Sequence, residues 1–490
     1  MFFKISGACS LAGLKFSSSC SLGTNHRQST SGDKNTTATE RTSLSSQRAV
    51  NWLSDQLHLA YQAASNGAAW MTNTWKSCKA TVINKGALSN QHSPINQKTT
   101  SSFAAAIATP KLPIDHTQKF AQATLDFAHE LCAKLAHTQP ADKSFAISPV
   151  SLLAALGMCL NIIQKEKQAL FIEKIGLGNL SVDEANTAIA TALKSLLLPQ
   201  SFKDGSIEIA QTMVAKTDVK FDSQFLSLLQ QVYDSELIVN DDIKTVVNAW
   251  VKEKTHGKIS DVISEDNDIV FALVNAVYLN LTWQKKFKKP EQGWPVEQFV
   301  TADNKTAPVS MMSQKGNYPH FESETFSMLE VPYKAPDGRE LSQVIFLPKP
   351  NCSLAQLEAS MDAEMIRQCR AAAEKVYGLR WDMPKVNAES SFELTKILKS
   401  MDIPLDYLDN TKCSKEIYVD KVIHKTVVSN SEEGTKAAAV TAIIICEVAM
   451  APIEIKEFIV DRAYAYLIMD KDTVLFRGRV SDASSLIVDP

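Results

Sequence analysis

Apolar positions along this chain repeat first at the helical period and then, between helices, at the strand period. Phe120–Leu135 carries a stripe of helix spacing and stops ahead of Pro140, whose ring removes an N–H and ends a helix. Ser148–Asn161 is apolar almost throughout and opens on Ser148-Pro149, which suits a first helical turn, so a buried helix is predicted there. Ser223–Tyr233 and Ile243–Thr255 have one apolar face each and read as amphipathic helices. Val270–Asn280, Thr325–Pro332, Ser342–Pro348 and Leu379–Pro384 are short, rich in apolar residues and read as strands. Phe392–Met401 reads as a further helix and Tyr418–Val428 as a strand. Three short strands, Phe458–Val460, Ala465–Met469 and Val474–Val480, close the pattern. The sum is a mixed α+β body that begins near Leu112.

Upstream the pattern fades. Residues 1–46 are rich in Ser and Thr, with no acid before Asp33. Lys4 precedes a weakly apolar stretch, Ile5–Leu14, that is too polar for a clear secretory signal. An organelle-type leader and a bacterial export signal fit that composition, but a largely disordered tail is the preferred reading. Within 47–72, Val50, Leu53, Leu57, Tyr61 and Ala64 fall at helical spacing, so an amphipathic helix is expected there. Residues 84–110 return to linker composition. We therefore divide the chain into an extension, 1–110, and a folded body, 111–490.

One segment fits neither period. Residues 432–442 read Glu-Glu-Gly-Thr-Lys-Ala-Ala-Ala-Val-Thr-Ala, followed by Ile443, Ile444 and Ile445. Small side chains leave the backbone slim, the β-branched ones favour extension, and Gly434 can supply the dihedrals of a pivot. An exposed helical turn or a linker would have the same composition. A strand waiting to be inserted between two others is the alternative.

The run is similar to the hinge of the serpins, E-E-G-T-E-A-A-A-A-T, and departs from it at Lys436 and Val440. Further stretches resemble that family in order and spacing: Ser148-Pro149-Val150-Ser151, Val247-Asn248-Ala249-Trp250-Val251, Thr255-His256-Gly257-Lys258-Ile259 and Asn275-Ala276-Val277-Tyr278 with Trp283 and Phe287. Val309-Ser310-Met311-Met312, Val331-Pro332-Tyr333, Asp461-Arg462-Ala463-Tyr464 and Phe476-Arg477-Gly478-Arg479-Val480 continue it. The resemblance spans about 115–483. It implies the serpin fold, α+β with three β-sheets, a large central one, eight or nine helices and an exposed reactive-centre loop. The turn after Leu160 and the alanines at 463 and 483 depart from the family pattern.

What the resemblance implies for function is suicide inhibition. A protease cleaves the loop, is held as an acyl-enzyme, and is dragged across the body as the hinge inserts into the central sheet. The implied hinge is Glu432, Glu433, Gly434, Thr435, Lys436, Ala437, Ala438 and Ala439. Ser148, Ser151, Asn275 and His424 match the shutter beneath the sheet, and Trp283 the breach where the loop first enters. Family spacing puts the scissile bond at Val448–Ala449, give or take two residues, which suits the small apolar pocket of an elastase-like enzyme. If Thr435 faces inward after insertion, so do Ala437, Ala439, Thr441, Ile443 and Ile445, while the single charge, Lys436, faces out. That slim inward set favours an inhibitory member over a carrier, chaperone or storage member. Inhibition of a papain-like cysteine protease is a further alternative.

Composition changes little in this picture. No G-x-S-x-G, H-E-x-x-H or Gly-rich phosphate loop is present, so no enzyme is expected. The net charge of −3 divides into +7 for residues 1–110, from ten Lys/Arg and three Asp/Glu, and hence −10 for the body. The body has no dense Lys/Arg cluster, so no nucleic acid is expected, and Val182–Leu198, where heparin-binding serpins are basic, has only Lys194, so no heparin requirement is expected either. The nine cysteines, Cys9, Cys20, Cys78, Cys132, Cys159, Cys352, Cys369, Cys413 and Cys446, lack metal-ligand or disulfide spacing, so no metal or other cofactor is expected. No apolar run reaches the roughly 18 residues of a membrane span. A monomer is expected, exported or secreted, with the cytoplasm as the alternative.

Overall fold

A computed structural model describes residues 115–489, apart from 141, 197–201, 256, 258, 260–261, 264–268, 289–291, 294, 337, 415 and 436–455. The expected helix within 47–72, the loop beyond Thr435 and the bond Val448–Ala449 lie outside the described residues. So do the hinge positions Lys436, Ala437, Ala438 and Ala439.

Nine α-helices lie among the described residues. The first, α1 (His116–Thr138), is capped by Asp115, whose carboxylate accepts the N–H groups of Thr117 and Gln118. Next comes α2 (Pro149–Leu160), with proline in its first turn and every residue buried. It is followed by α3 (Lys165–Lys174), α4 (Val182–Leu196), α5 (Ser223–Tyr233) and α6 (Ile243–Lys254), and Asp222 and Asp242 cap the last two. The short α7 (Leu354–Ser360), α8 (Ala363–Ala372) and α9 (Thr395–Ser400) complete the set. The sequence pattern of 392–401 merges two elements. Phe392 belongs to a strand, and only six residues are helical, because Phe392 is needed opposite His424 in the sheet.

The strands among the described residues form two hydrogen-bonded sheets. One holds β1 (Phe145–Ile147), β5 (Val296–Val300), β6 (Thr306–Glu322), β7 (Phe326–Pro332), β8 (Leu341–Pro348), β9 (Glu374–Pro384), β13 (Glu457–Ile459), β14 (Tyr464–Asp470) and β15 (Thr473–Val480). Its order is β1-β15-β14-β8-β7-β6-β9-β13, with β5 on β6. Three sheets are implied by the resemblance. Two appear because the long β6 serves both halves of this one: it pairs with β5 and β9 along most of its length and with β7 at its end.

The other sheet positions the candidate site. It contains β2 (Gly205–Ala215), β3 (Leu237–Val239), β4 (Phe271–Thr282), β10 (Val386–Glu393), β11 (Lys421–Asn430) and β12 (Gly434–Thr435). The order is β10-β11-β4-β2-β3, with the two-residue β12 on β4. Side chains alternate along β4. Phe271, Leu273, Val277, Leu279 and Leu281 pack into the main core, together with residues of α2. Ala272, Val274 and Ala276 face the other way, against Val247 and Val251 of α6. β4 is therefore buried on both faces, and α6 covers one of them.

Candidate functional site

At the centre of this sheet β4 and β11 run parallel, from Lys421 opposite Ala272 to Val427 opposite Tyr278. Above that level they no longer face each other. The chain leaves β11, turns through Ser431–Gly434, and comes back antiparallel to β4 as β12, with Gly434 opposite Thr282 and Thr435 opposite Leu281. The turn is closed by Ser431 N–H donating to Gly434 O at 2.9 Å and Gly434 N–H donating to Ser431 O at 3.1 Å. Gly434 has φ of +145°, and a Cβ there would meet the Leu281 carbonyl and Thr282 Cα, so backbone angle and close approach both demand glycine.

The turn is held from outside as well. Trp283 N–H donates to Glu433 O and Phe287 N–H to Glu432 O, each at 2.9 Å, and the Trp283 indole N–H donates to Ser431 O at 2.9 Å. The indole is fully buried, stacks on Tyr333 with centroids 4.5 Å apart, and meets Trp381 edge-on at 6.0 Å. Both acids of the turn have cationic partners. Glu433 lies 3.7 Å from Lys286, and Glu432 lies 3.1 Å from Lys385, whose ammonium is also 2.6 Å from Asp489. Sequence reasoning did not single out Tyr333, Lys385 or Asp489 as site residues. A lone lysine between Pro384 and Val386 carries no sign in the sequence that it is buried.

Lower in the sheet, Ser148, Ser151, Asn275 and His424 come together under the junction of β4 and β11. Asn275 and His424 are register partners across the two strands. The Ser148 N–H donates to His424 Nε2 at 3.0 Å, which puts the ring proton on Nδ1, 2.8 Å from Asn275 Oδ1. Ser151 Oγ lies 2.8 Å from the same oxygen, and Asn275 Nδ2 donates to Ser151 O at 2.9 Å. All four residues are buried. The network ties the start of α2 to both strands at one level, and the His424–Asn275 bond, which spans the two strands, would have to break or exchange if they parted.

Burial pushes the His424 imidazole down to about 3. The unfolded ring titrates near 6.5, so between those values the unfolded chain binds a proton that the folded one does not. His424 therefore contributes fully above about pH 6.5, and its contribution is lost as pH falls toward 3. His320 is also held low, at about 4, chiefly by burial. It acts alike in the parent and in a His424→Gln variant, so the difference between the two isolates His424. The stability gap between parent and variant is expected to narrow by up to about 1.4 kcal/mol per pH unit between pH 6 and 4, read by denaturant titration. A gap independent of pH would mean that the folded ring titrates in the ordinary range.

The chain is similar to known proteins over most of this body. The family model described as Serpin (serine protease inhibitor) matches residues 122–483. The leukocyte elastase inhibitor of Bos taurus is 28% identical over 387 residues, 74% of this chain and 99% of that protein. The native-state crystal structure of the thermophilic serpin tengpin superposes with a TM-score of 0.66 at 26% identity, covering 76% of this chain and 95% of that one. Human thyroxine-binding globulin complexed with its ligand gives a TM-score of 0.67 at 22% identity over 75% of this chain and 99% of that one, a likeness of fold alone. No helix among the described residues is long and apolar enough to cross a membrane. With the family match running from α1 to the segment after β15 on a fold of this order, the chain belongs to the serpin family.

Proposed function

We propose that this serpin is a suicide-substrate inhibitor of a serine protease, and that it traps its target by inserting residues 435–445 between β4 and β11. The observation that carries the reading is β12. Gly434 and Thr435 already lie antiparallel to β4, directly above the level at which β4 and β11 close on each other. Continued downward in that register, Ala437, Ala439, Thr441, Ile443 and Ile445 fall opposite Leu279, Val277, Asn275, Leu273 and Phe271. Those partners face the main core side, so the inserted set is small or apolar where it must be buried.

The other edge gives the same alignment. From the bridge between Ser431 and Gly434, Thr441 falls opposite His424 on β11. His424 and Asn275 are already partners in the closed sheet. The two strands can therefore part sideways by one strand spacing, about 4.8 Å, with no sliding of either along its axis. Lys436 falls opposite Asn280, a half-buried residue above the cluster under α6, so its ammonium has a route to water. The remaining outward set, Ala438, Val440, Ala442 and Ile444, would lie beneath α6.

In this reading the chain is attacked and catalyses nothing itself. The protease supplies the nucleophile and forms the acyl-enzyme at Val448, releasing the peptide that begins at Ala449. Insertion then carries the ester away by roughly 43 Å, thirteen strand steps from Thr435 to Val448. The inhibitor acts as a monomer, and it meets its target after export. The test is a panel of elastase-like, trypsin-like and papain-like proteases. An adduct that survives denaturing electrophoresis with a serine enzyme, and a released peptide starting at Ala449, are expected. Cleavage with no adduct across the panel would sink the reading and leave a carrier or storage role. Recovery of the intact chain in the cytoplasmic fraction alone would overturn export.

Specificity gives a separate expectation. Val448→Arg should lower the rate with elastase-like enzymes at least about a hundredfold and create inhibition of trypsin-like ones. An arginine pairs with the buried carboxylate of such a pocket, whereas valine leaves it unpaired. The hinge is untouched, so trapping survives the exchange. A released peptide beginning at Ala451 would instead make Met450 the contact residue.

A further inference from the structure

We propose that residues Leu486–Asp489 form a clasp on the hinge, in which Asp489 positions Lys385 for Glu432 and so sets how firmly the Ser431–Gly434 turn is held before insertion. This rests on the reading that the hinge gates insertion. Leu486 is bridged to Val386 at the head of β10. Ile487 N–H donates to Lys385 O at 3.0 Å, and Ser310 N–H on β6 donates to Ile487 O at 2.9 Å. Asp489 N–H donates to Ser310 Oγ at 2.8 Å. The segment thus laces one sheet to the other, and Asp489 is fixed by its N–H on the Ser310 hydroxyl and by the backbone bonds of Ile487.

Lys385 stands where β9 gives way to β10, and it is buried, its side chain only 8% exposed. A buried ammonium needs anionic partners close by. Asp489 meets it at 2.6 Å, and Glu432 at 3.1 Å. The closer carboxylate sits on the fixed frame, and the further one on the turn that must stay in place while the loop beyond it moves. The frame therefore holds the lysine, and the lysine holds the turn. Without the Asp489 charge the ammonium has less reason to remain inside, and Glu432 loses an oriented partner.

The coupling can be read without any protease. Trp283 and Phe287 donate their N–H groups to Glu433 O and Glu432 O, so their hydrogen exchange reports whether the turn is held. In the full chain, Asp489→Asn should speed exchange at these two amides about fivefold or more, and Asp489→Glu should largely restore protection. Exchange at Ser310, whose N–H reports the clasp itself, should stay within about twofold. Added to Lys385→Met, Asp489→Asn should change nothing further at Trp283 or Phe287, since it acts through that lysine. Unchanged exchange at the two amides would overturn the proposal. So would equal loosening at Ser310, because Asp489 would then be holding only its own segment. These outcomes do not depend on trapping. If the parent forms no adduct with any protease yet the exchange pattern appears, the clasp stands and the inhibitory reading falls.

Discussion

Cleavage of the chain within 443–450 is expected to raise its melting temperature, by about 10 °C or more when the cut falls after Ile445, where nicking a protein ordinarily lowers it. The uncut loop is tethered at both ends, and Gly434 and Thr435 at its start are paired with β4. Once cut, 436–445 can follow them between β4 and β11. Ladder bonds on two edges, about 1 kcal/mol each net, are of the same order as the roughly 1–2 kcal/mol per residue that ordering the loop costs. What remains is burial. Val440, Ile443, Ile444 and Ile445 at about 2 kcal/mol each give roughly 8 kcal/mol. For the body from 115 to 489, at about 2.1 cal/mol/K per residue, unfolding entropy is near 0.8 kcal/mol/K, so that gain corresponds to about 10 °C. Calorimetry of intact and cut protein makes the measurement. An equal or lower melting temperature after the cut would mean that the loop does not insert.

Much of this fold can be read from the chain, because most of its elements are buried on a regular period. α2 is apolar apart from Ser151 and begins with Pro149, and β4 is apolar apart from Asn275, Asn280 and Thr282, so both declare themselves. β2, which pairs along the whole length of β4, does not: Gly205–Ala215 mixes Glu208, Gln211 and Thr212 with its apolar residues, and its identity as a strand is fixed by its neighbour. The head of β10 is hidden for a related reason. Asn387, Glu389, Ser391 and Glu393 point to the exposed face, so half the strand looks like loop until β11 is placed beside it.

The candidate site divides in the same way. Gly434 is legible because φ of +145° and contact with the β4 backbone leave no other choice of residue. His424 and Asn275 are distant in sequence and become a pair only through the parallel register of β11 on β4. Lys385 and Asp489 are two ordinary surface residue types, and a segment that crosses between sheets brings a half-buried Asp489 onto a buried Lys385. No local pattern encodes such a crossing. The two alanines that depart from the family pattern are accommodated simply. Ala463 N–H donates to Val300 O at 2.8 Å, a bond that proline could not make, and Ala483 opens a short 3-10 helix.

Thr435→Arg is expected to abolish trapping and leave an efficient substrate. Thr435 is paired with Leu281, which packs into the main core, so a side chain at 435 directed to the same face must be buried as the strand completes. An unpaired guanidinium there costs several kcal/mol, and about 3–4 kcal/mol slows insertion by roughly 10²–10³-fold. In the proposed mechanism acylation takes place at Val448, thirteen residues away, and hydrolysis of the ester does not depend on the sheet. The two steps compete, so an insertion about a hundredfold slower turns nearly every encounter into cleavage. On denaturing gels the adduct should fall to a few per cent of the parent's while the cut product accumulates. The rise in melting temperature on cleavage should shrink in the same variant, because both effects come from one strand failing to enter. Thr435→Ser, similar in size and uncharged, should trap as the parent does. Adduct formation by Thr435→Arg at the parent's stoichiometry would mean that position 435 faces away from the core, and with it that the register running from Gly434 opposite Thr282 does not continue down the sheet.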